Sequence, residues 1–223
     1  MSGAPDVFAV APARDAAARR QALARRQGDA SADYRAFGFD YFDNPGLGIG
    51  YGGYAYDGRY ASAAAALMRH YGLNAGARVL EIGCAKGYLL VEFATLGADV
   101  RGLDASAYAV AKAHPDIRDR IAVGDAAALP YDDAAFDLVV AKEVLPHVPA
   151  ARLDGALAEI ARVTRGAAFL VVQCADTAEE AAALNAWDPT HTVVRASSWW
   201  RDRVAALAPS ADLHTKRLFA SPD

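Results

Sequence analysis

Arg78-Val79-Leu80-Glu81-Ile82-Gly83-Cys84-Ala85-Lys86-Gly87-Tyr88-Leu89-Leu90 is the stretch on which the fold turns. Apolar residues around Glu81 read as a short buried strand, Gly83 and Gly87 bracket a tight turn, and the apolar run from Tyr88 takes on helical spacing. A strand that turns through glycines into a helix brings free backbone N–H groups and the positive end of a helix dipole to one point. A carboxylate or phosphate can sit there. Which ligand the turn suits depends on the rest of the chain.

Downstream, strands and helices alternate. Strands are expected at Arg78–Ile82, Val100–Leu103, Ile121–Val123, Phe136–Ala141, Ala167–Gln173 and Ala211–Phe219. Helices are expected at Tyr88–Leu96, from Ser106 to about His114, and over Ala150–Thr164, Thr177–Asn185 and Ser197–Leu207. Strand, helix, strand at this spacing requires crossovers and a mostly parallel, Rossmann-like α/β sheet of six or seven strands, with helices on both faces. Upstream, a helix is expected over Pro12–Gln27, and its arginines (Arg19, Arg20, Arg25, Arg26) read as a solvated face. Residues before it read as a loose end. From Tyr34 to Tyr60, nine aromatics are interleaved with seven glycines, which suits a cap over the domain edge. The expected organisation is an N-terminal helix and cap over 1–56 and an α/β domain over 57–223, forming one compact unit.

Composition bounds the function. The 223 residues suffice for one well-buried domain, and 54% apolar with 22% charged residues is an ordinary globular balance. A net charge of −4 gives no general attraction to nucleic acid or anionic lipid. Two cysteines without metal spacing, no long apolar run and no basic, apolar leader point to a reduced, cytoplasmic protein. Neither nucleic acid nor membrane is an expected partner; a small molecule is, and a homodimer is admitted.

In an open parallel sheet ligands bind outside the carboxyl ends of the strands. Those ends carry Glu81 with Gly83, Asp104 with Ala105, Asp125 with Ala126, and Lys142 with Glu143. A carboxylate there can accept from a ribose diol or an adenine amine. A lone strand-end Asp is as often a turn residue as a ligand; three such acids in succession favour the ligand. Gly83-Cys84-Ala85-Lys86-Gly87 misses the G-x-G-x-x-G of nicotinamide dinucleotide sites, and Glu81 would repel a diphosphate while attracting a cationic amino-acid headgroup. This pushes the ligand toward S-adenosylmethionine.

The stretch Val79–Leu90, the run Gly102-Leu103-Asp104, the run from Gly124-Asp125-Ala126 to Leu129-Pro130, and Phe136–Val140 followed by Val144–Val148 resemble class I S-adenosylmethionine-dependent methyltransferases. The likeness covers roughly residues 76 to 175. It implies Glu81 and Gly83 near the methionine part, Asp104 on the ribose hydroxyls, and Asp125 with Ala126 at the adenine. Cys84, Ala85, Gly87, Ala105 and Lys142 complete the expected cofactor set. Family members usually carry glycine where Ala85 stands.

The expected reaction is methyl transfer to an oxygen or nitrogen of a small molecule such as a sugar or secondary metabolite. A hydroxyl nucleophile needs a general base, and an amine only needs to be neutral. Candidate bases are His191, Glu143 and His147. Tyr51, Tyr56, Arg59 and Tyr60 are expected in a lid over substrate and cofactor, able to meet a sulfonium by cation–π contact. Asp188 and His191 form a local metal-type pair without a third ligand, so no metal is expected. Two other classes stay open: a nicotinamide-dependent oxidoreductase or epimerase, and a non-catalytic S-adenosylmethionine-binding partner of another enzyme.

Overall fold

The computed structural model describes residues 7–8, 16–24 and 29–220. Ahead of the sheet lie α1 (Ala16–Ala24), two single-turn helices α2 (Ala32–Arg35) and α3 (Phe39–Phe42), and α4 (Ala61–His70). Then follow β1 (Arg78–Ile82), α5 (Tyr88–Thr95), β2 (Asp99–Asp104), α6 (Ala107–Ala111), β3 (Ile121–Val123), β4 (Phe136–Lys142), α7 (Leu153–Val163), β5 (Thr164–Gln173), α8 (Ala178–Trp187), α9 (Ser197–Leu207) and β6 (Ala211–Lys216). The six strands form one sheet in the order β3-β2-β1-β4-β5-β6, and every pairing is parallel.

Strand alternation sends side chains to two separate cores. Leu80, Ile82, Val139, Ala141, Leu170 and Val172 pack with Leu157 and Ile160 of α7 and Trp200 and Val204 of α9. Val79, Val100, Leu138, Val140, Phe169 and Val171 pack on the other face with Leu67 of α4 and Leu90 and Phe93 of α5. Both faces of the central strands are therefore dry, which explains why β1 and β4 read as nearly unbroken apolar runs. Each fully buried Leu, Ile or Phe contributes about 1.5–3 kcal/mol of transfer free energy. Local chemistry sets the helix starts: the Ser106 hydroxyl accepts from Ala109 N to open α6, and Thr177 accepts from Glu180 N to open α8.

Several expectations change. β5 begins at Thr164, directly after α7, so no loop precedes it. The last strand stops at Lys216 instead of Phe219, because Arg217 turns to ion-pair with Glu180 and Asp176, and Phe219 is buried with Ala175 and Leu184. Near the N-terminus Val7 and Phe8 are buried instead of loose, with the Phe8 ring 5.8 Å from that of Phe169. Arg19 and Arg20 donate to the carbonyls of Leu218 and Phe219, so these two arginines bind the C-terminal segment. Pro12, Arg25, Arg26 and Gln27 lie outside the described residues. Among the described residues no helix is long and apolar enough to cross a membrane.

Candidate functional site

A cavity of about 440 Å³ opens at the carboxyl ends of β1, β2 and β4. Its floor is the turn that follows β1. Gly83 (φ 69°) and Gly87 (φ 77°) are left-handed, and a Cβ on Gly83 would lie 2.5 Å from Val144 Cγ2. Ala85 is left-handed as well, at φ 50°, where an alanine costs roughly 1–2 kcal/mol. Asp104 holds this conformation: its Oδ2 accepts from Ala85 N and its Oδ1 from Ser106 N, both at 2.7 Å. The same carboxylate lines the cavity with spare lone pairs for a diol.

Glu81 is 5% exposed, and its Oε2 has no hydrogen-bond partner. Burial, with Asp104 nearby, pushes its carboxyl up to about 8 against the pull of Lys142. An unpaired buried acceptor of this kind is satisfied by a cationic amino group. Asp125 stands at the opposite end of the cavity, accepting from Ala127 N at 2.8 Å and pairing with Arg152.

The cap supplies the roof. Phe37, Tyr41, Phe42 and Tyr51 line the cavity. They give aromatic faces suited to a sulfonium. Lys86, inside the turn, fixes the cap: its ammonium donates to Asp43 Oδ1 (2.6 Å), Asp43 Oδ2 (2.7 Å) and the Tyr54 carbonyl (2.7 Å). Tyr108 Oη donates to the same Asp43 carboxylate at 2.7 Å. Ser106 Oγ donates to the carbonyl of Phe37, a residue held at φ 54°. Neither the Lys86 clamp nor Phe37 was expected from sequence, because both link positions more than 30 residues apart; the only signal was a lysine within the glycine turn.

The cavity continues into a second of about 170 Å³, and the two share Tyr41, Tyr51, Lys142, Glu143 and His147. Tyr34, Gly50, Gln173, Trp187 and Asp188 complete the second. Glu143 is left-handed at φ 59°, and Gln173 and Lys216 donate to it at 3.1 and 3.2 Å. Burial would raise its carboxyl, but Lys142 and Lys216 bring it down to about 2. A carboxylate that acidic is a weak base. Lys142 is held protonated: burial opposes its charge, and Glu143 with neighbouring tyrosines and Glu81 outweighs the burial.

His147 and His191 stack with centroids 4.5 Å apart and planes at 22°. Thr190 Oγ1 lies 2.9 Å from His147 Nδ1 and donates to Asp188 Oδ1 at 2.6 Å, so the hydroxyl accepts from a protonated Nδ1 and leaves Nε2 basic. Tyr41 Oη, Tyr34 Oη and Thr190 N also donate to Asp188. Burial lowers both imidazoles, His191 to about 4, so both are neutral near pH 7.

The remaining expected site residues fall elsewhere. Gly87 packs against Ile117 and Ile121, and Cys84 is buried, its thiol pushed up by that burial. Of the expected lid only Tyr51 lines the cavities. Tyr56 Oη donates to Glu92 at 2.9 Å, Arg59 is exposed and paired with Asp57, and Tyr60 lies beside Tyr54 and under the Lys142 ammonium. His191 stands behind His147 and lines neither cavity.

The comparisons agree with this geometry. A family model described as a methyltransferase domain matches residues 80–172. Over 85 residues the chain is 40% identical to 27-O-demethylrifamycin SV methyltransferase of Amycolatopsis mediterranei, covering 34% of this chain and 31% of that protein. It is 37% identical over 94 residues to the ubiquinone biosynthesis O-methyltransferase of Azorhizobium caulinodans, covering 37% of each. A sterol 24-C-methyltransferase of Gibberella zeae is 33% identical over 107 residues, 44% of this chain and 28% of that one. The matched part thus spans about a third of these relatives. Among solved structures, the YcgJ protein of Bacillus subtilis superposes with a TM-score of 0.56 at 25% identity, covering 65% of this chain and 66% of that one. A methyltransferase fold of Bacillus halodurans, at 21% identity, superposes with the same score over 66% of this chain and 68% of its own. The cavity, the acids on β1 and β2 and the aromatic roof fit S-adenosylmethionine, the cofactor of this family. Residues 80–172 are thus similar to the methyltransferase-domain family, and S-adenosylmethionine is the cofactor that this likeness implies.

Proposed function

We propose that the protein methylates a hydroxyl of a small, polar molecule. The observation that carries this is the pair of communicating cavities, with the polar His147–Thr190–Asp188 chain at the far side of the second. S-adenosylmethionine, when bound, supplies an electrophilic methyl group on sulfur. Glu81 would take its ammonium group, Asp104 its ribose hydroxyls, and the Asp125 end of the cavity its adenine.

The tyrosines of the roof and Lys142, Glu143 and Gln173 then confine the acceptor in a space of about 170 Å³, which suits one ring and its substituents. In-line placement at near-contact distance is the main requirement, because the methyl group is already activated. The acceptor oxygen, held in line by these residues, would take the methyl group that the cofactor supplies, with the electron pair of the broken bond remaining on the donor's sulfur. The hydroxyl proton leaves at the end of the cavity formed by His147 and Asp188, where an amine acceptor would need no such provision. Oxygen-methylating relatives such as the rifamycin enzyme support this choice.

The test is turnover of S-adenosylmethionine with phenols, sugars and hydroxy acids, read as S-adenosylhomocysteine formed. His147→Ala is expected to slow turnover by roughly 100-fold on the active acceptor. Tight binding of S-adenosylhomocysteine with no turnover on hydroxylated acceptors would overturn the proposal.

A further inference from the structure

Asp188 and His191 lie three residues apart, with no third metal ligand near them in the sequence. The fold provides one. β4 and the 3₁₀ turn after it bring in His147, and the three residues can each offer a ligand atom so that all three atoms lie within 4.8 Å of one another. We infer that His147, Asp188 and His191 form a site for a divalent transition-metal ion of the zinc type, opening on the second cavity.

Three further features support the assignment. Both ring nitrogens of His191 are buried and make no hydrogen bond; the Leu184 carbonyl is near without completing one. A buried polar group with no partner calls for an explanation, and an absent cation is one. Next, Asp188 is oriented as ligating carboxylates are. Thr190 and Tyr34 occupy Oδ1, and Tyr41 Oη is the single donor to Oδ2 at 3.1 Å, leaving that oxygen a free lone pair. Finally, Thr190 engages His147 at Nδ1, which leaves Nε2 as its ligand atom.

Two imidazoles and one carboxylate select a zinc-type cation over magnesium, which prefers oxygen ligands. Tetrahedral bonds of about 2.0–2.1 Å set ligand atoms about 3.3 Å apart, so the trio must close by roughly 1.5 Å or less. The stacked rings do not yet converge on one point. His191 can turn to do so without breaking a hydrogen bond, since it makes none. His147 and Asp188 line the second cavity, so a coordination position would face the acceptor. Resting on the hydroxyl-methylation reading, the site's task would be to bind that hydroxyl and lower its pKa, the proton passing to solvent before the oxygen attacks.

The experiment reads bound metal first and turnover second. The full chain, stripped with chelator and dialysed against zinc(II) alone, is expected to retain one equivalent. Cobalt(II) in its place is expected to give the visible absorption of a low-symmetry nitrogen and oxygen site. Asp188→Asn and His191→Phe, the latter keeping the stack on His147, should each lose at least 90% of the bound metal while melting cooperatively and binding S-adenosylhomocysteine. Retention below 0.1 equivalent by the unaltered chain, or equal retention by both folded variants, would overturn the inference. Methyl transfer that persists in chelator would also overturn it and leave the proposed reaction standing, whereas bound zinc without any turnover would overturn only the reaction.

Discussion

Replacing Lys86 with methionine should release the cap while leaving the sheet intact. The lysine side chain is 7% exposed and its Asp43 partner 22%. Methionine keeps the apolar stem and removes all three donated hydrogen bonds. Breaking one side of a fully buried pair costs about 3–5 kcal/mol. Here Asp43 retains Tyr108 Oη and Tyr54 N and keeps some contact with water, so the loss falls just below that range. A loss of about 2.5 kcal/mol raises the opening constant of the cap roughly 70-fold. The loss is local because Lys86 joins the turn to residues 43 and 54, whereas the strands are held by the two large cores. Hydrogen exchange read by mass spectrometry should therefore show faster exchange over residues 34–60 and unchanged protection in β1 and β4. Affinity for S-adenosylhomocysteine should fall in parallel, since four cap aromatics line the cavity. In the Lys86→Met background, Asp43→Asn should add little. Protection over 34–60 within threefold of the unaltered protein would refute the clamp, as would an equal loss in every peptide.

Asp104→Asn puts an N–H group against one of two backbone N–H donors, and S-adenosylhomocysteine affinity should fall by about 10- to 100-fold in calorimetric titration. A change under threefold would contradict the role given to this carboxylate. For pH, His191 is depressed from 6.5 to about 4, so its contribution to stability is complete above pH 6.5 and fades as pH falls toward 4. Its upper bound is about 3 kcal/mol, and Asp188 shares in the titration. Glu81, raised to about 8, acts with the opposite sign and loses stability as pH rises from 4.5 to 8. Urea midpoints of the unaltered protein and His191→Phe, both stripped of metal, should therefore converge on acidification from pH 7 to 4.5; parallel curves would refute the burial argument.

The sheet was legible because buried parallel strands are continuous apolar runs bounded by glycine and acids. β1 falls at its expected limits, and Asp104 at the tip of β2 lines the cavity where the crossover rule puts ligand-facing groups, whereas Glu81 is buried behind it and lines neither cavity. The cap was legible as a composition and not as a shape. Aromatics and glycines have no period from which to infer which ring faces the cavity, so Tyr56, Arg59 and Tyr60 were expected in place of Phe37, Tyr41 and Phe42. The three expected bases sit in unlike surroundings for a related reason. Asp188 beside His191 looked like an oriented pair, but Thr190 turns the carboxylate's influence toward His147, 43 residues away. Glu143 was read from its position on the strand tip. Two lysines, one contributed by the last strand, make it too acidic for the task.

The strand order β3-β2-β1-β4-β5-β6 is also that of dinucleotide-binding sheets. Topology in this chain therefore carries no information about which cofactor is bound. That information is compressed into one residue of β1 and the five that follow the strand, since Glu81 sets the charge and Ala85 with its flanking glycines sets the closeness of approach. A lineage built on this sheet could exchange one cofactor for another within that short window, while the two cores, the strand order and the cap's attachment through Lys86 stayed as they are.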